Sequence, residues 1–219
     1  MLIPLSGAER DRLIPRVATG PQFTACWGGP QVLLQRVMIS VVGGVISLLL
    51  SQAFLGFASP GGAFWLITGI VFGFTWLWGP IAVAAQRNGR LRRFPHTALV
   101  IAQVGDLFTE ERVAERREDV NATGRLELVE NNRRWLNLEL ADEDGFLGIL
   151  AFPLEQKHQG IRRGDAVCCL AVANRRDFSP VAAFSDAWLP QQNLWVGRYP
   201  YLRRDLLVNL YRRQGSAWG

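Results

Sequence analysis

The longest hydrophobic segment of the chain runs from Val37 to Gln86 and contains no Asp, Glu, Lys, Arg or His. A helix needs about 20 apolar residues to cross a hydrocarbon core of roughly 30 Å, so the segment is long enough for two crossings. The turn-forming cluster ASPGG occupies residues 58–62, near its centre. The pattern therefore predicts a hairpin of two transmembrane helices, Val37 to Ala58 and Ala63 to Ala85, because neither has the polar face of a soluble helix.

Downstream of Pro95, short segments alternate between apolar and polar residues, and this period of two predicts β-strands. The alternating segments are Arg125–Glu130, Trp135–Leu140 and Phe146–Phe152. The mainly apolar stretches Thr97–Val104 and Ala166–Ala173 are also predicted strands, with one or two more between Phe178 and Val196. Hairpin turns are predicted at Asn131-Asn132 and Asp144-Gly145, since both pairs accept positive φ angles. The charged stretch Glu110–Asn121 is predicted to be a mobile connection.

The last segment, Asp205 to Arg213, fits two periods. Leu206, Val208 and Leu210 alternate as on a strand, whereas Leu202, Leu206 and Leu210 also recur as on a helix, and the antiparallel context favours the strand. The sequence thus predicts an α+β membrane protein, in which a transmembrane helical hairpin precedes a small, mostly antiparallel β-barrel or sandwich of the OB-like or SH3-like type. The predicted regions are a juxtamembrane segment (1–36), the hairpin (37–86), a basic linker (87–96) and the β domain (97–219).

Charge adds an orientation to this prediction. Arginines lie on both sides of the hairpin, and the loop between its helices has none, so both termini and the β domain are expected on the cytoplasmic side. The predicted lipid-facing basic anchor consists of Arg87, Arg90, Arg92 and Arg93. Anionic lipid headgroups are the partners expected for these side chains, so the net charge of +5 requires no nucleic acid, and none is expected as a partner. On this side the sequon Asn121-Ala122-Thr123 is not a glycosylation site.

Catalytic and metal-binding motifs are missing from the sequence. It has no GxSxG elbow, no GxxxxGK[ST] loop and no GxGxxG after a strand. His96 and His158 have no partners at the spacing of zinc ligands. Cys26, Cys168 and Cys169 lack metal spacing and are predicted to be reduced and buried. We therefore expect no enzyme, no cofactor and no metal.

Small residues in the two predicted helices are candidate partner-binding positions. Gly43, Ser47 and Ser51 recur every four residues in the first helix, and Gly69 and Gly73 form a similar pair in the second. Small residues let helix backbones approach closely in a membrane. Either the two faces meet each other, or one face docks on a helix of a partner complex.

Tryptophans are the other candidate partner-binding positions. An exposed tryptophan often marks an interface, because it offers a large apolar surface with one hydrogen-bond donor. Trp27 lies within the segment VATGPQFTACWGG and is expected at the level of the lipid headgroups. Gly20-Pro21 and Gly28-Gly29-Pro30 are expected to break regular structure there. Of Trp135, Trp188 and Trp195 in the β domain, at least two are expected in the core. Trp135 and Trp195 remain candidate contact residues.

Four segments carry a resemblance to a known family: ERDRLIPRVATGPQF and CWG before the hairpin, WLWGP at its end, and NLWVGRYPYLRRD near the C-terminus. Together they resemble a family of cyanobacterial, thylakoid-type two-helix membrane proteins of unknown function, which are sometimes labelled as phosphate ABC transporter permeases. The resemblance implies a photosynthetic bacterium and a thylakoid or plasma membrane location. It supplies no catalytic motif to transfer to this chain.

The predicted hairpin has no ionisable group that could line a conduit, which argues against a channel or carrier. The sequence therefore predicts a non-enzymatic, membrane-anchored accessory or assembly factor that binds a membrane protein complex, with a photosystem or a cytochrome complex as candidates. Two alternatives come from other functional classes. One is an auxiliary subunit of a transporter, and the other is a membrane-bound enzyme that uses an externally supplied cofactor.

Overall fold

The computed structural model describes residues 1–54, 56, 58–120 and 126–215. The sequon at 121–123 and the first residue of the strand predicted from Arg125 lie outside these ranges. The helices in them are α1 (Gly7–Leu13), α2 (Gly20–Trp27), α3 (Pro30–Ala53), α4 (Pro60–Gly73), α5 (Thr75–Arg92) and α6 (Arg204–Gly215). The strands are β1 (Leu2–Pro4), β2 (His96–Val120), β3 (Leu126–Ala141), β4 (Leu147–Pro153), β5 (Ala166–Ala173), β6 (Ala183–Leu189) and β7 (Leu194–Val196). The chain forms two compact units, Met1–Ile14 with Leu91–Gly219, and Pro15–Arg90.

The first unit is built on one antiparallel sheet, which confirms the predicted antiparallel strands. Its strands follow the order β4-β3-β2-β5-β6-β7, and β1 pairs with β2 beside this path. The side chains of β5 alternate between two apolar clusters, with Cys169 in one and Cys168 in the other. The second cluster includes Leu13 of α1 and Leu207 of α6. These helices therefore cover one face of the sheet. The first apolar cluster lies on the other face and forms a separate core. Among the described residues no pairing joins β4 to β6 or β7, so the strand path stays open.

The longest hairpin differs from the prediction. β2 continues to Val120 through the stretch predicted as a mobile connection, and β3 runs through Asn131-Asn132, where a turn is predicted. Both predictions are wrong. An opposite-charge pair lies across this ladder, where Glu111 is 3.7 Å from the guanidinium of its register partner Arg134. Such pairs stabilise a strand exposed to water on both faces, which the search for apolar alternation overlooks.

The C-terminal segment is a helix, so the strand interpretation of Asp205–Arg213 is wrong. Leu207 is fully buried in the second apolar cluster, and Leu202 packs in the same cluster. Asp205 lies in the first turn of α6 and basic residues in its last turn, which suits the helix dipole. The apolar sheet face of the second cluster needs a helix to bury it. This packing selects the helical period of the C-terminal segment over the strand period.

In the second unit α3 is one continuous helix. Within the described ranges it alone is long and apolar enough, by length and composition, to cross a membrane. A second span is available only if α4 and α5 act together, and these helices are bent by 72° at their break. The second helix, predicted as continuous over Ala63–Ala85, is therefore interrupted. Phe74 leaves helical geometry with φ −100° and ψ 14°, after Gly73, a poor helix former.

Two polar contacts stabilise the break between α4 and α5. The indole Nε1 of Trp78 donates to the carbonyl of Val71, 2.8 Å away, which the end of α4 leaves without an intrahelical partner. The backbone N–H of Trp76 donates to Ser40 Oγ on α3 at 3.3 Å. Each contact satisfies a backbone group that the interruption exposes.

Gly20-Pro21, where a break in regular structure is predicted, instead begins α2, whereas Gly28-Gly29 separates α2 from α3 as predicted. Pro21 lies in the first turn of α2, where a missing N–H costs nothing, and Gly28 follows its end at φ +80°. Pro30 lies in the first turn of α3, as the sequence predicts. The guanidinium of Arg36 donates to the carbonyls of Trp27 at 2.8 Å and Cys26 at 2.9 Å. Arg36 therefore caps the C-terminus of α2.

A buried pair of amides ties α2 to α5. Gln22 and Asn88 are both fully buried, and Asn88 Nδ2 donates to Gln22 Oε1 at 3.0 Å and to the carbonyl of Pro15 at 2.9 Å. In the other direction Gln22 Nε2 donates to Asn88 Oδ1 at 3.4 Å. The reciprocal contact leaves little freedom to either side chain.

Replacing Asn88 by alanine removes these hydrogen bonds from a buried site. We expect the local free energy of unfolding of α2 to fall by about 2 kcal/mol, which corresponds to roughly 30-fold faster amide exchange. Hydrogen exchange of α2 peptides in the full chain, in detergent, measures this. The control is Gln86→Ala at an exposed amide on the same helix, and equal exchange in the two variants would contradict the role of the pair.

Candidate functional site

A cleft of about 920 Å³ lies in the sheet unit between β4 and the segment that leads into β6. Residues 147–151 form one wall and residues 178–186 the other, and Glu139, Arg198 and Tyr201 complete the lining. An added Cβ on Gly148 would lie 2.5 Å from Cζ of Phe184. The Phe184 ring therefore packs against Gly148 and brings the two walls together.

The wall formed by β4 is a free strand edge. The N–H of Leu154 donates to the Arg134 carbonyl of β3, whereas the carbonyl of Ala151 accepts from Arg198 Nε at 3.0 Å. In an antiparallel ladder the backbone groups of successive residues point to opposite sides. The odd-numbered residues of β4 therefore direct their N–H and C=O groups away from β3, and Ile149 directs its pair into the cleft.

The opposite wall contains a β-bulge in β6. Cys169 pairs with Ala187 and Ala171 with Phe184, so β6 has one extra residue between these positions. Ser185 Oγ accepts from the N–H of Leu170 at 2.9 Å and replaces the ladder bond that the bulge disrupts. Bulges re-aim side chains and occur often beside functional sites. This one turns Asp186 out of the ladder.

Asp186 is a buried acid in the lining of the cleft, with 3% of its surface exposed. Its Oδ1 accepts from the N–H of Leu202 at 3.1 Å, and within the described part of the chain its buried Oδ2 has no hydrogen-bond partner. Burial raises the pKa of Asp186 to about 7, against the opposing effects of the Leu202 N–H and the charge of Arg204. The carboxyl therefore changes charge near neutral pH.

Gly197 lets the backbone pass directly over Asp186. Its φ is +147°, and an added Cβ would lie 2.9 Å from the Cα of Asp186. Only glycine fits both the conformation and the approach. The close passage contributes to the exclusion of water from the carboxyl.

Trp135 holds a cation at the rim of the cleft. The guanidinium carbons of Arg198 and Arg112 lie 4.5 Å and 5.2 Å from its ring centroid. Arg112 also donates to Asn137 Oδ1 at 3.2 Å. Cation–π contacts of this kind fix the ring and the guanidinium together. Trp135 is half-buried and acts as a platform for Arg198.

Trp195 lies on the helix-covered face of the sheet. Its ring stacks on Trp188 at 6.3 Å, with the guanidinium of Arg204 4.9 Å from its centroid. It is half-buried and packs against the second apolar cluster, which contains Trp188. Trp195 therefore packs within the sheet unit, and it does not line the cleft.

Most of the small residues predicted to bind a partner lie in the contact between α3 and α4. An added Cβ would lie 2.8 Å from the Phe72 ring at Gly43 and 3.0 Å from the Cβ of Ser47 at Gly69. Ser51 Oγ donates to the carbonyl of Gly62 at 2.8 Å. The two predicted faces therefore meet each other.

Gly73 differs from these positions. Nothing lies within 4 Å of an added Cβ there, and Gly73 lines a groove of about 370 Å³ together with Ser40, Gly44 and Trp76. This groove, named the α3/α4 groove below, remains open at the side of the helix pair. It is the part of the small-residue pattern that the internal contact leaves accessible.

The predicted membrane-interface residues have different environments. Trp27 contacts Trp76 edge-on, with ring centroids 6.3 Å apart, so it packs within the helical unit. Arg92 is 13% exposed and pairs with Asp11 at 2.6 Å, which contradicts its assignment to a lipid-facing anchor. The other three arginines of the predicted anchor are exposed: Arg87, Arg90 and Arg93.

The cysteines and His158 have structural environments. All three cysteines are free and buried, as predicted, and burial raises the pKa of Cys168 to about 12. His158 is buried, and its Nδ1 accepts from the N–H of Glu155 at 3.1 Å while its ring packs edge-on against Phe152. The described residues contain no group of three or more His, Cys, Asp or Glu side chains placed to hold a metal ion.

Sequence reasoning missed Asp186, Glu139 and Arg198, the polar residues of the cleft. Asp186 has a signal in the sequence, since it is an acid within the mostly apolar strand AFSDAWL. An acid at such a position is costly unless the structure uses or compensates it. Glu139 and Arg198 gave no comparable signal, because each lies in an ordinary polar context.

The chain matches the model of a family of unknown function, DUF8619, over residues 3–216, and it belongs to this family. No curated protein and no solved structure matches it. The matched range includes residues of both compact units. The family model therefore covers residues of the helical unit and of the sheet unit.

Proposed function

We propose that the protein is a non-catalytic accessory or assembly factor, whose sheet unit binds a second protein and whose membrane anchor is α3 with a second crossing made of α4 and the first part of α5. The supporting observation is the apolar exterior of α3. Its small residues face α4, whereas large apolar side chains point outward and are about half exposed or more: Val41, Val42, Val45, Ile46, Leu48 and Leu49. A contiguous surface of this kind is stable against lipid or a partner and unfavourable in water.

Backbone satisfaction at the interrupted second helix supports the same proposal. Lipid offers no hydrogen bonds, so every exposed backbone group must find a partner inside the protein. Trp78 and Ser40 supply such partners at the break, and Ser59 Oγ accepts from the N–H of Gly62 at the start of α4. In this proposal α4 and the first part of α5 form the second crossing, and the exposed Arg87, with Arg90 and Arg93, holds the end of α5 at anionic headgroups on the cytoplasmic side.

The partner in this proposal is a membrane protein complex, which docks on the α3/α4 groove through one of its helices. Small residues favour close helix contact in lipid, and the groove offers Gly44 and Gly73 at its base. For a protein of a photosynthetic membrane, a photosystem or a cytochrome complex fits this description. The small residues of the α3–α4 contact are used inside the protein. In this proposal Gly44 and Gly73 are therefore the residues that contact a partner helix.

The substitution Gly73→Leu tests the docking face, because it fills the groove without touching the α3–α4 contact. In gently solubilised, crosslinked membranes we expect the tagged variant to recover at least about fivefold less of the stoichiometric partner than the wild-type chain does. The control is Gly89→Leu, another position where an added Cβ meets nothing within 4 Å. Both variants should remain in carbonate-washed membranes.

The outcomes separate the parts of this proposal. Unchanged recovery of the partner by Gly73→Leu would exclude the groove as the docking face. A wild-type chain that purifies alone after crosslinking would exclude the accessory role. A defect in phosphate uptake on deletion, with flux after reconstitution, would instead favour a transporter subunit.

A further inference from the structure

The geometry points to the cleft between β4 and β6 as a binding groove for an extended polypeptide segment with basic side chains, supplied by a partner protein. This inference deepens the proposed function, on which it rests, because it names the chemistry that the sheet unit recognises. Three features carry it: a free strand edge, unpaired carboxyl oxygens and exposed apolar side chains along one wall.

The free edge of β4 provides backbone recognition. Ile149 directs its N–H and C=O away from β3. On the same edge, the Ala151 carbonyl accepts a hydrogen bond from a group outside the sheet ladder, the guanidinium of Arg198. An added strand satisfies such groups through main-chain hydrogen bonds, whatever the sequence of the bound segment. The five residues of the wall span roughly 17 Å at about 3.3 Å per residue, which suits an extended peptide.

The charges of the cleft select a basic segment. Glu139 faces Ile149 across the β3–β4 ladder, and among the described residues it has neither an ion-pair nor a hydrogen-bond partner. Asp186 on the opposite wall has an oxygen without a partner. The cation in the lining, Arg198, is engaged by the Ala151 carbonyl and by the Trp135 ring. The acids are therefore the groups left to recognise a ligand, and a Lys or Arg side chain complements them.

Apolar side chains on the same wall supply the remaining contact. Leu147 is 68% exposed and Ile149 57% exposed. An edge strand with two large exposed apolar residues is an aggregation risk that proteins usually block with charge, proline or a cover. Leu147, Ile149 and Glu139 lie on one face of the sheet, because Glu139 is the register partner of Ile149. A Lys or Arg of the bound segment on that face would lay its aliphatic stem over the two apolar side chains and bring its charge to Glu139.

Binding of two defined peptides to the purified full chain in detergent tests the inference. The probe is a fluorescein-labelled nine-residue peptide that alternates valine and lysine, and its counterpart alternates valine and glutamate. Fluorescence anisotropy should detect binding of the lysine peptide, with at least about tenfold weaker binding of the glutamate peptide.

Two variants locate the binding site. Glu139→Gln should weaken binding of the lysine peptide about fivefold, whereas Glu143→Gln, the same change at an exposed hairpin tip outside the cleft, should leave it unchanged. Ile149→Pro removes the N–H that faces the cleft and keeps the hydrogen bonds to β3, so it should weaken binding of the lysine peptide at least about tenfold.

Equal binding of the two peptides, or unchanged binding by Glu139→Gln, would overturn the inference. The inference would also be overturned if the wild-type chain formed a dimer and the Ile149→Pro variant did not. In that case a second copy of the chain would occupy the edge of β4. The peptide experiment needs no membrane complex. Its failure therefore leaves the partner recovery measured with Gly73→Leu unaffected, and the two proposals can fail separately.

Discussion

Replacing Gly62 by alanine is expected to separate the start of α4 from the end of α3 and to lower the free energy of unfolding of the helix pair by about 3 kcal/mol or more. An added Cβ would overlap the carbonyl oxygen of Gly56 and lie 2.7 Å from its carbonyl carbon and 3.1 Å from the carbonyl oxygen of Ser51. All three atoms belong to the backbone, so no side-chain rotation relieves the overlap. The hydrogen bond from Ser51 Oγ to the Gly62 carbonyl would be lost as α4 moves away.

The neighbouring glycine provides a matched control for this experiment. An added Cβ on Gly61 meets only the Phe54 side chain, at 3.5 Å, which is ordinary van der Waals contact. Thermal unfolding of the two variants in detergent, followed by helical circular dichroism, compares the same substitution one residue apart. Equal melting temperatures would contradict the close packing of this turn.

Replacing Asp186 by asparagine is expected to change how stability depends on pH. Burial raises the folded-state pKa of Asp186 from 3.8 to about 7. Between these values the folded chain holds a proton that the unfolded chain has released, so the wild-type free energy of unfolding falls by about 1.4 kcal/mol per pH unit as the pH rises. Below about pH 4 both states are protonated and the loss is absent, and above about pH 7 it is complete.

Asparagine has the shape of the neutral acid and keeps an oxygen for the Leu202 N–H, but it does not titrate. The variant should therefore gain stability over the wild-type chain as the pH rises from 5 to 8. Hydrogen exchange of β5 and β6 peptides, compared between the two proteins at each pH, measures the gain. Peptides from Pro15–Arg90 serve as the internal control, and a stability difference that is constant with pH would show that the carboxyl is not buried as described.

Local signals allowed parts of the fold to be predicted. β5 has the predicted bounds Ala166–Ala173, and β4 starts and ends one residue after its prediction, because apolar alternation and turn residues lie within a few positions of each other. The same holds for the turn between α3 and α4, where Ser59 caps the helix and Pro60 lies in its first turn. Signals of this kind need no contact with a distant part of the chain.

The candidate site could not be read in the same way. Glu139, Asp186 and Arg198 lie on separate strands or connections, and only the pairing of β4 with β3 and the bulge in β6 bring them to one cleft. The anchor role predicted for Arg92 is also wrong, because its partner Asp11 is far away in the sequence. A basic cluster beside an apolar segment suggests an anchor, and it does not reveal which members are used inside the protein.

The sequence by itself was enough to predict helices in the long uncharged segment, the turn at its centre and the antiparallel strands that follow. These features depend on hydrophobic period, helix caps and turn chemistry, which act over a few residues. Tertiary structure alone decided that α4 and α5 break at Phe74, that 205–213 form a helix and that Asp186 is buried with a raised pKa. Each of these depends on a contact from elsewhere in the chain: Ser40 on the break, the sheet face under α6, and Leu202 and Gly197 around the acid. Long-range packing selects among the conformations that local sequence leaves open.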